Sequence, residues 1–254
     1  MGAWGHFITA ILLFAPSAFA QIPGLPDISA MTAGLSKAVV TTVALGLDNR
    51  SLSPATALGI AAGVEFGIDV ALTQFPSSLL PAMQSAGLDT SALSTGIIPA
   101  PRFHFKKGIS PAATIGFSGI YYRQILVYGI DFQYTLWEPE EGVTWAIRGS
   151  FNNADVLYVK SVCWTPQLVI SRALDFADPY LGVGVQLGHG EVNGSVDVAP
   201  GVTQQISNAA TMQAFVAFMG TKFRPPNVGF QFTLEGGYST IGMNWLSTRL
   251  GVSF

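Results

Sequence analysis

From Leu58 to Leu72 the chain alternates without a break. Leu58, Ile60, Ala62, Val64, Phe66, Ile68, Val70 and Leu72 are apolar, and the residues between them are Gly, Ala, Glu or Asp. A helix would bring its apolar residues back every three or four positions, whereas a strand changes face at every residue. The stretch is therefore expected to be a long strand with one oily face. The same period of two runs through 126–136, 143–151, 181–188 and 228–238. Weaker segments around 36–48, 97–107, 111–122, 154–163, 165–173, 209–222 and 240–254 bring the expectation to about twelve strands, with ten to fourteen compatible with the pattern. Turn-forming sequences such as Pro139-Glu140-Glu141-Gly142, Asn152-Asn153 and Arg224-Pro225-Pro226-Asn227 make most connections short, as in a meander of antiparallel neighbours.

Which solvent the oily face meets is decided by the other face. A soluble sandwich buries its apolar face and dresses the outer one in charge, and an average soluble domain is about 25% charged. Here 49% of residues are hydrophobic and only 11% charged, with a mean hydropathy of +0.43. The second face is largely Gly, Ala, Ser and Thr. Beyond the first twenty positions no run approaches the roughly 20 apolar residues of a membrane helix. These features together predict an all-β fold, a closed antiparallel transmembrane β-barrel with its oily face toward lipid and its small and polar face toward the lumen. Tyr121, Tyr122, Tyr128, Tyr134, Trp137, Trp145, Trp164, Tyr180, Tyr238 and Trp245 lie near strand ends and suit interfacial girdles.

Residues 1–20 have the form of an export signal: an apolar stretch, Phe7 to Phe14, then Pro16 and the small-x-small pattern Ala18-Phe19-Ala20. Cleavage before Gln21 leaves 21–254 as the barrel domain. Two segments interrupt the meander. Residues 74–95 are too long for a hairpin turn and suggest a short helix, a connector or plug; residues 192–208 are expected to be a long outer loop. A net charge of −3 without a basic cluster excludes nucleic acid as a partner. The single cysteine, Cys163, is expected to be a packing residue, and neither a metal-ligand spacing nor a cofactor motif is present.

The chain ends Thr248-Arg249-Leu250-Gly251-Val252-Ser253-Phe254, with Leu250, Val252 and Phe254 alternating up to an aromatic terminus. This resembles the C-terminal assembly signal of Gram-negative outer-membrane β-barrel proteins, of porin-like type. The resemblance implies outer-membrane localisation, outer-membrane lipid and the barrel-assembly machinery as partners, and both termini on the periplasmic side.

Strand phase places Glu65, Asp69, Asp131, Arg148, Gln186, Gln231, Glu235 and Arg249 on the lumen face, with Arg102, His104 and Lys106 sharing one face of a neighbouring strand. Asp131 is expected opposite Arg148 as a cross-strand ion pair. Such charges either neutralise one another in a filled lumen or set ion preference at a constriction. His189 should point with Leu187 toward lipid or the rim. No serine can be assigned to His104 from spacing, so a hydrolase is the least favoured reading and the chain is expected not to be an enzyme. A channel or transporter for small polar solutes leads, with a closed structural or adhesive barrel, its lumen plugged, as the alternative.

Overall fold

Alternation decides which side chain meets which solvent, and the structure carries this through every strand. The computed structural model describes residues 33–60, 63–74, 76, 81, 96–122, 125–156, 158–199, 202–225 and 229–254. A helix, α1 (Ala33–Gly46), precedes ten strands. They are β1 (Val64–Gln74), β2 (Ile97–Gly108), β3 (Ala113–Tyr122), β4 (Ile125–Trp137), β5 (Thr144–Val156), β6 (Val159–Ser171), β7 (Ala177–Ala199), β8 (Val202–Phe223), β9 (Phe230–Ser239) and β10 (Met243–Ser253). Each strand pairs antiparallel with its sequence neighbours, and β1 pairs with β10 from Glu65↔Ser253 to Gln74↔Asn244, closing the sheet. Closure leaves no open edge in the wall, as hydrocarbon demands of any sheet that crosses it.

Burial is inverted relative to a soluble protein. Leu126, Tyr128, Ile130, Phe132, Tyr134 and Leu136 of β4 are all exposed, whereas Asp131, Gln133 and Thr135 between them are buried. Phe66, Phe103, Phe117, Trp145, Trp164, Leu181, Met219, Leu246 and Val252 continue the apolar exterior. Among the described residues, no helix is long and apolar enough to cross a membrane; here the strands provide the span.

The strand count is ten rather than about twelve, for two reasons. Residues 36–48 form most of α1. Their Val and Thr content reads as strand, yet Thr41 and Thr42 donate to the Lys37 and Ala38 carbonyls one turn back, which accommodates them in a helix. Residues 154–163 and 165–173 are not two strands: 154–156 complete β5, and Val159–Ser171 is a single strand through Pro166. That proline has no N–H, and the β6–β7 pairing is interrupted between Trp164↔Leu187 and Gln167↔Gly184. The alternation from Leu58 also begins too early, since β1 starts only at Val64.

Of residues 192–208, expected as a loop, 192–199 and 202–208 continue the ladder. β6 reaches β7 only at Val159↔Val192 and β9 reaches β8 only at Val216↔Ser239, while β7 and β8 pair with each other out to Ala199↔Val202. At about 3.3 Å per residue, this hairpin stands about 20 Å beyond the end of β6. Residues 1–20, and nearly all of 75–95, lie outside the described residues.

Two of the aromatics assigned to the girdles turn inward. Tyr180 is 4% and Trp245 8% exposed, because each falls on the lumen phase of its strand. Tyr121, Tyr128, Tyr134, Trp137, Trp145, Trp164 and Tyr238 face out.

Candidate functional site

The lumen is filled by the chain's own amino-terminal segment. α1 stands inside the barrel at the end carrying the β7–β8 hairpin, its Val39, Val40, Ala44 and Leu45 packed against Val159, Cys163, Val192, Met212 and Met243 of the inner wall. Small wall residues make room for it. A Cβ on Gly190 would lie 2.7 Å from Val40 Cγ1, and one on Gly188 would lie 3.2 Å from Leu45 Cδ2. Gly129 admits the next stretch: its Cβ would sit 2.7 Å from Asn49 Cβ and Cγ. The glycine-rich lumen face of the sequence is thus the seat of an inserted segment.

From Gly46 the chain runs extended along the barrel axis. Asp48 Oδ2 accepts from Thr165 Oγ1 at 2.7 Å and Gln186 Nε2 at 2.8 Å. Asn49 Oδ1 accepts from Ser118 Oγ at 2.8 Å, and the Arg50 guanidinium lies 4.7 Å from the centre of the Trp245 ring. Farther down, Ala55 N donates to Ser171 Oγ at 2.9 Å and Leu58 N to Thr114 Oγ1 at 3.1 Å. The segment then meets the opposite end of the barrel, where Gly108 N donates to Gly63 O and Val64 pairs with Phe254.

Outside any ladder, the carbonyls of this segment need donors, since a buried unpaired carbonyl costs about as much as a lost hydrogen bond. The wall supplies them, largely from cations. Lys106 Nζ donates to Ser51 O at 2.5 Å; Arg249 Nη1 donates to Ser51 O at 2.6 Å and Leu52 O at 3.3 Å. Arg102 donates to Leu47 O and Arg148 to Ser53 O. Gln133 Nε2 donates to Pro54 O at 3.0 Å and Thr56 O at 3.2 Å, and Thr135 Oγ1 to Ala55 O at 2.7 Å. Leu52 takes φ of 47°, a left-handed conformation that costs a side-chain-bearing residue about 1–2 kcal/mol. That twist lies within the run of carbonyls that Lys106, Arg249 and Arg148 engage.

The cations are balanced by wall carboxylates. Asp69 takes Arg249 in a two-pronged pair, Nε to Oδ1 at 2.6 Å and Nη2 to Oδ2 at 2.7 Å. Glu65 accepts from Lys222 Nζ at 2.7 Å and from Arg249 Nη1 at 3.2 Å. His104 lies between the two acids, Nε2 3.2 Å from Glu65 and Nδ1 3.0 Å from Asp69. Glu235 accepts from Tyr180 Oη at 3.0 Å and Trp245 Nε1 at 3.3 Å.

The lumen residues singled out from the sequence, Glu65, Asp69, Arg102, His104, Asp131, Arg148, Glu235 and Arg249, are all buried inside the barrel. Their partners differ from the expectation in one respect. Asp131 stands opposite Ser150, and Arg148 opposite Gln133, a two-residue offset from the register a tight turn at Pro139 would impose. Asp131 accepts from Ser51 Oγ at 2.7 Å and lies 3.6 Å from Lys106, while Arg148 donates to Gln133 Oε1. His189 is exposed and 3.2 Å from Thr211 Oγ1. The ladder also sets Ser118 directly across from His104, which spacing could not show. His104 Nε2 is hydrogen-bonded to Glu65, Nδ1 lies 3.0 Å from Asp69 without a hydrogen bond, and the Ser118 hydroxyl is given to Asn49 Oδ1. Among the described residues no cluster of His, Cys, Asp and Glu suits a metal ion.

The residues that sequence reasoning missed are Asp48 to Thr56, the polar stretch DNRSLSPAT. A signal was present: Val40, Val43, Ala44 and Leu47 recur at helical spacing, and the non-periodic polar run that follows belongs to neither helix nor strand.

No family model and no curated protein matches this chain. Solved structures similar to it include Neisserial surface protein A, at 13% identity and TM-score 0.32 over 76% of this chain and 98% of that one. The N-terminal β-barrel domain of Pseudomonas aeruginosa OprF aligns at 15% identity and TM-score 0.35 over 56% of this chain and 96% of that one. The Acinetobacter baumannii outer membrane protein Omp33 aligns at 7% identity and TM-score 0.32, covering 75% and 98%. The closed antiparallel meander, its apolar exterior and its polar interior are the architecture of a transmembrane β-barrel.

Proposed function

We propose that the chain is an outer-membrane barrel that is closed at rest and acts at its rim, through the projecting β7–β8 hairpin, rather than a permanently open pore for small polar solutes. One observation carries this. Side chains lining a water-filled pore are wet, whereas Glu65 is 0% and Arg249 1% exposed with Leu47–Leu58 laid against them. Beside that segment, a cavity lined by Ser51, Ser53, Lys106, Asp131 and Gln133 measures about 20 Å³, room for about one water molecule.

A conducting state is the second reading, and the way the segment is held favours it. Leu47–Leu58 is fixed by side-chain donors and not by a sheet ladder, so it can leave without unzipping the wall. The role is a non-enzymatic one, and the bond that Ser118, the serine across from His104, donates to Asn49 Oδ1 supports it. The partners in this proposal are outer-membrane lipid around the apolar belt and the barrel-assembly machinery reading Leu250, Val252 and Phe254.

Purified protein in planar bilayers tests it. The wild type is expected to give no steady conductance, and a variant lacking residues 33–58 is expected to conduct. Steady, ion-selective conductance from the wild type would overturn closure at rest. Deleting 195–206 should abolish any surface binding while leaving the barrel folded.

A further inference from the structure

A barrel with an even number of strands brings both ends of its sheet to one side, and here β1 begins where β10 ends, with Val64 bonded to Phe254. The chain before β1 does not stay on that side. It crosses the lumen lengthwise, from Leu58 beside Thr114 at the Phe254 end, past Asp48 beside Gln186 midway, to Ser36, which accepts from Asn208 Nδ2 at 3.2 Å at the hairpin end. The threaded segment is thus an eleventh crossing.

We infer that the amino-terminal end of α1 emerges on the outer face of the membrane, opposite Phe254, so that its first turns, at Gly34 and Lys37, are presented at the cell surface. Orientation follows from the connections. The Phe254 end carries turns of four to six residues, whereas the other end, beside turns of two and three residues, carries the two largest excursions, the 75–96 connection and the projecting β7–β8 hairpin, and the largest excursions of such a barrel belong outside. Gly34 and Lys37, on the first turns of α1, are exposed at that end. The inference rests on the segment occupying the lumen, as does closure at rest, yet the two are separable: a barrel that leaks ions around the segment still displays its amino-terminal end.

The experiment uses the full chain in intact cells with Cys163→Ala to remove the native thiol, and a membrane-impermeant maleimide as probe. Single cysteines replace Gly34 or Lys37. Tyr158→Cys, in the β5–β6 turn, reports the hairpin end, and Glu140→Cys, in the β4–β5 turn, reports the Phe254 end. Gly34→Cys and Lys37→Cys are expected to label in intact cells as fully as after permeabilisation, together with Tyr158→Cys, while Glu140→Cys labels only after permeabilisation. Labelling at 34 and 37 only after permeabilisation, with Tyr158→Cys already labelled, would overturn the inference, as would labelling of Glu140→Cys in intact cells with Tyr158→Cys protected. Conductance recorded on the same variants distinguishes a failure of display from a failure of closure.

Discussion

Arg249 is the side chain on which wall and threaded segment both depend, so its replacement by methionine gives a calculable loss. Its guanidinium is 1% exposed and holds Asp69 by two short bonds, Glu65 by one, and the Ser51 and Leu52 carbonyls through Nη1. Arg249→Met keeps most of the volume and removes every donor. Ser51 O retains Lys106 and Glu65 retains Lys222, but Asp69 is left with only the nearby His104 ring, whose Nδ1 makes no hydrogen bond. Removing one partner of a buried pair costs about 3–5 kcal/mol. With a urea dependence of about 2–3 kcal/mol per molar, the unfolding midpoint in lipid vesicles should fall by about 1–2 M. Fluorescence reads the transition, since Trp245 sits under Arg50 of the inserted segment. The control is Asp69→Leu with Arg249→Met, which removes both charges and should recover at least half of the single-variant loss. A loss below about 1 kcal/mol for Arg249→Met, or a double variant as unstable as the sum of the singles, would refute the assignment of a dry, paired lumen.

Other outcomes follow from single contacts. Gly129→Leu meets Asn49 among its nearest neighbours, so it should dislodge the segment and raise bilayer conductance, and Asn49→Gly should suppress it; equal conductance with and without the suppressor would count against the mechanism. Cys163, 1% exposed in the apolar cluster that receives α1, should react with a soluble thiol reagent only after unfolding, and prompt reaction in the folded protein would show that α1 had left the wall. Deleting Phe254 removes two seam bonds to Val64, worth about 1–3 kcal/mol together. If the terminal aromatic is read during assembly, the yield of inserted, heat-modifiable barrel should fall far more than that loss of stability accounts for.

The wall was legible because its periodicity and its burial have one cause. In β4 the outward Tyr128, Ile130, Phe132 and Tyr134 alternate with the inward Gly129, Asp131 and Gln133, and lipid enforces that alternation at every step. The lumen contents obey no such rule. Val39, Val40 and Val43 are β-branched residues in a helix that packing against Gly188 and Gly190 stabilises over their local preference, so propensity misreads them as strand. Asp48 to Pro54 carry no period because each residue answers to a different wall partner, and those partners lie up to 198 positions away in sequence. The charges of Glu65, Asp69 and Arg249 were assigned to the lumen by phase, yet phase is silent on whether water or protein meets them there. Register at the Pro139 turn was equally hidden, because the two-residue offset of Asp131 and Arg148 reflects a connection that closes wider than its sequence suggests, with an irregularity between Thr135 and Trp137.

The seam between β1 and β10 sets an order of events. A closed wall of ten strands, each paired with both neighbours, has no slot through which a side-chain-bearing segment can slip sideways. Leu47–Leu58 therefore reaches its place either by being drawn endwise past Leu52 and Arg50, with everything upstream in tow, or by lying on the unfinished sheet before Val64 meets Phe254. Since the segment runs directly into β1, the second route needs only that the last hairpin fold over a chain already in position. The earliest residues of the barrel domain would then be the cargo around which the latest ones shut, and the donors of Arg249, carried on the closing strand, would engage Ser51 in the same movement that completes the cylinder.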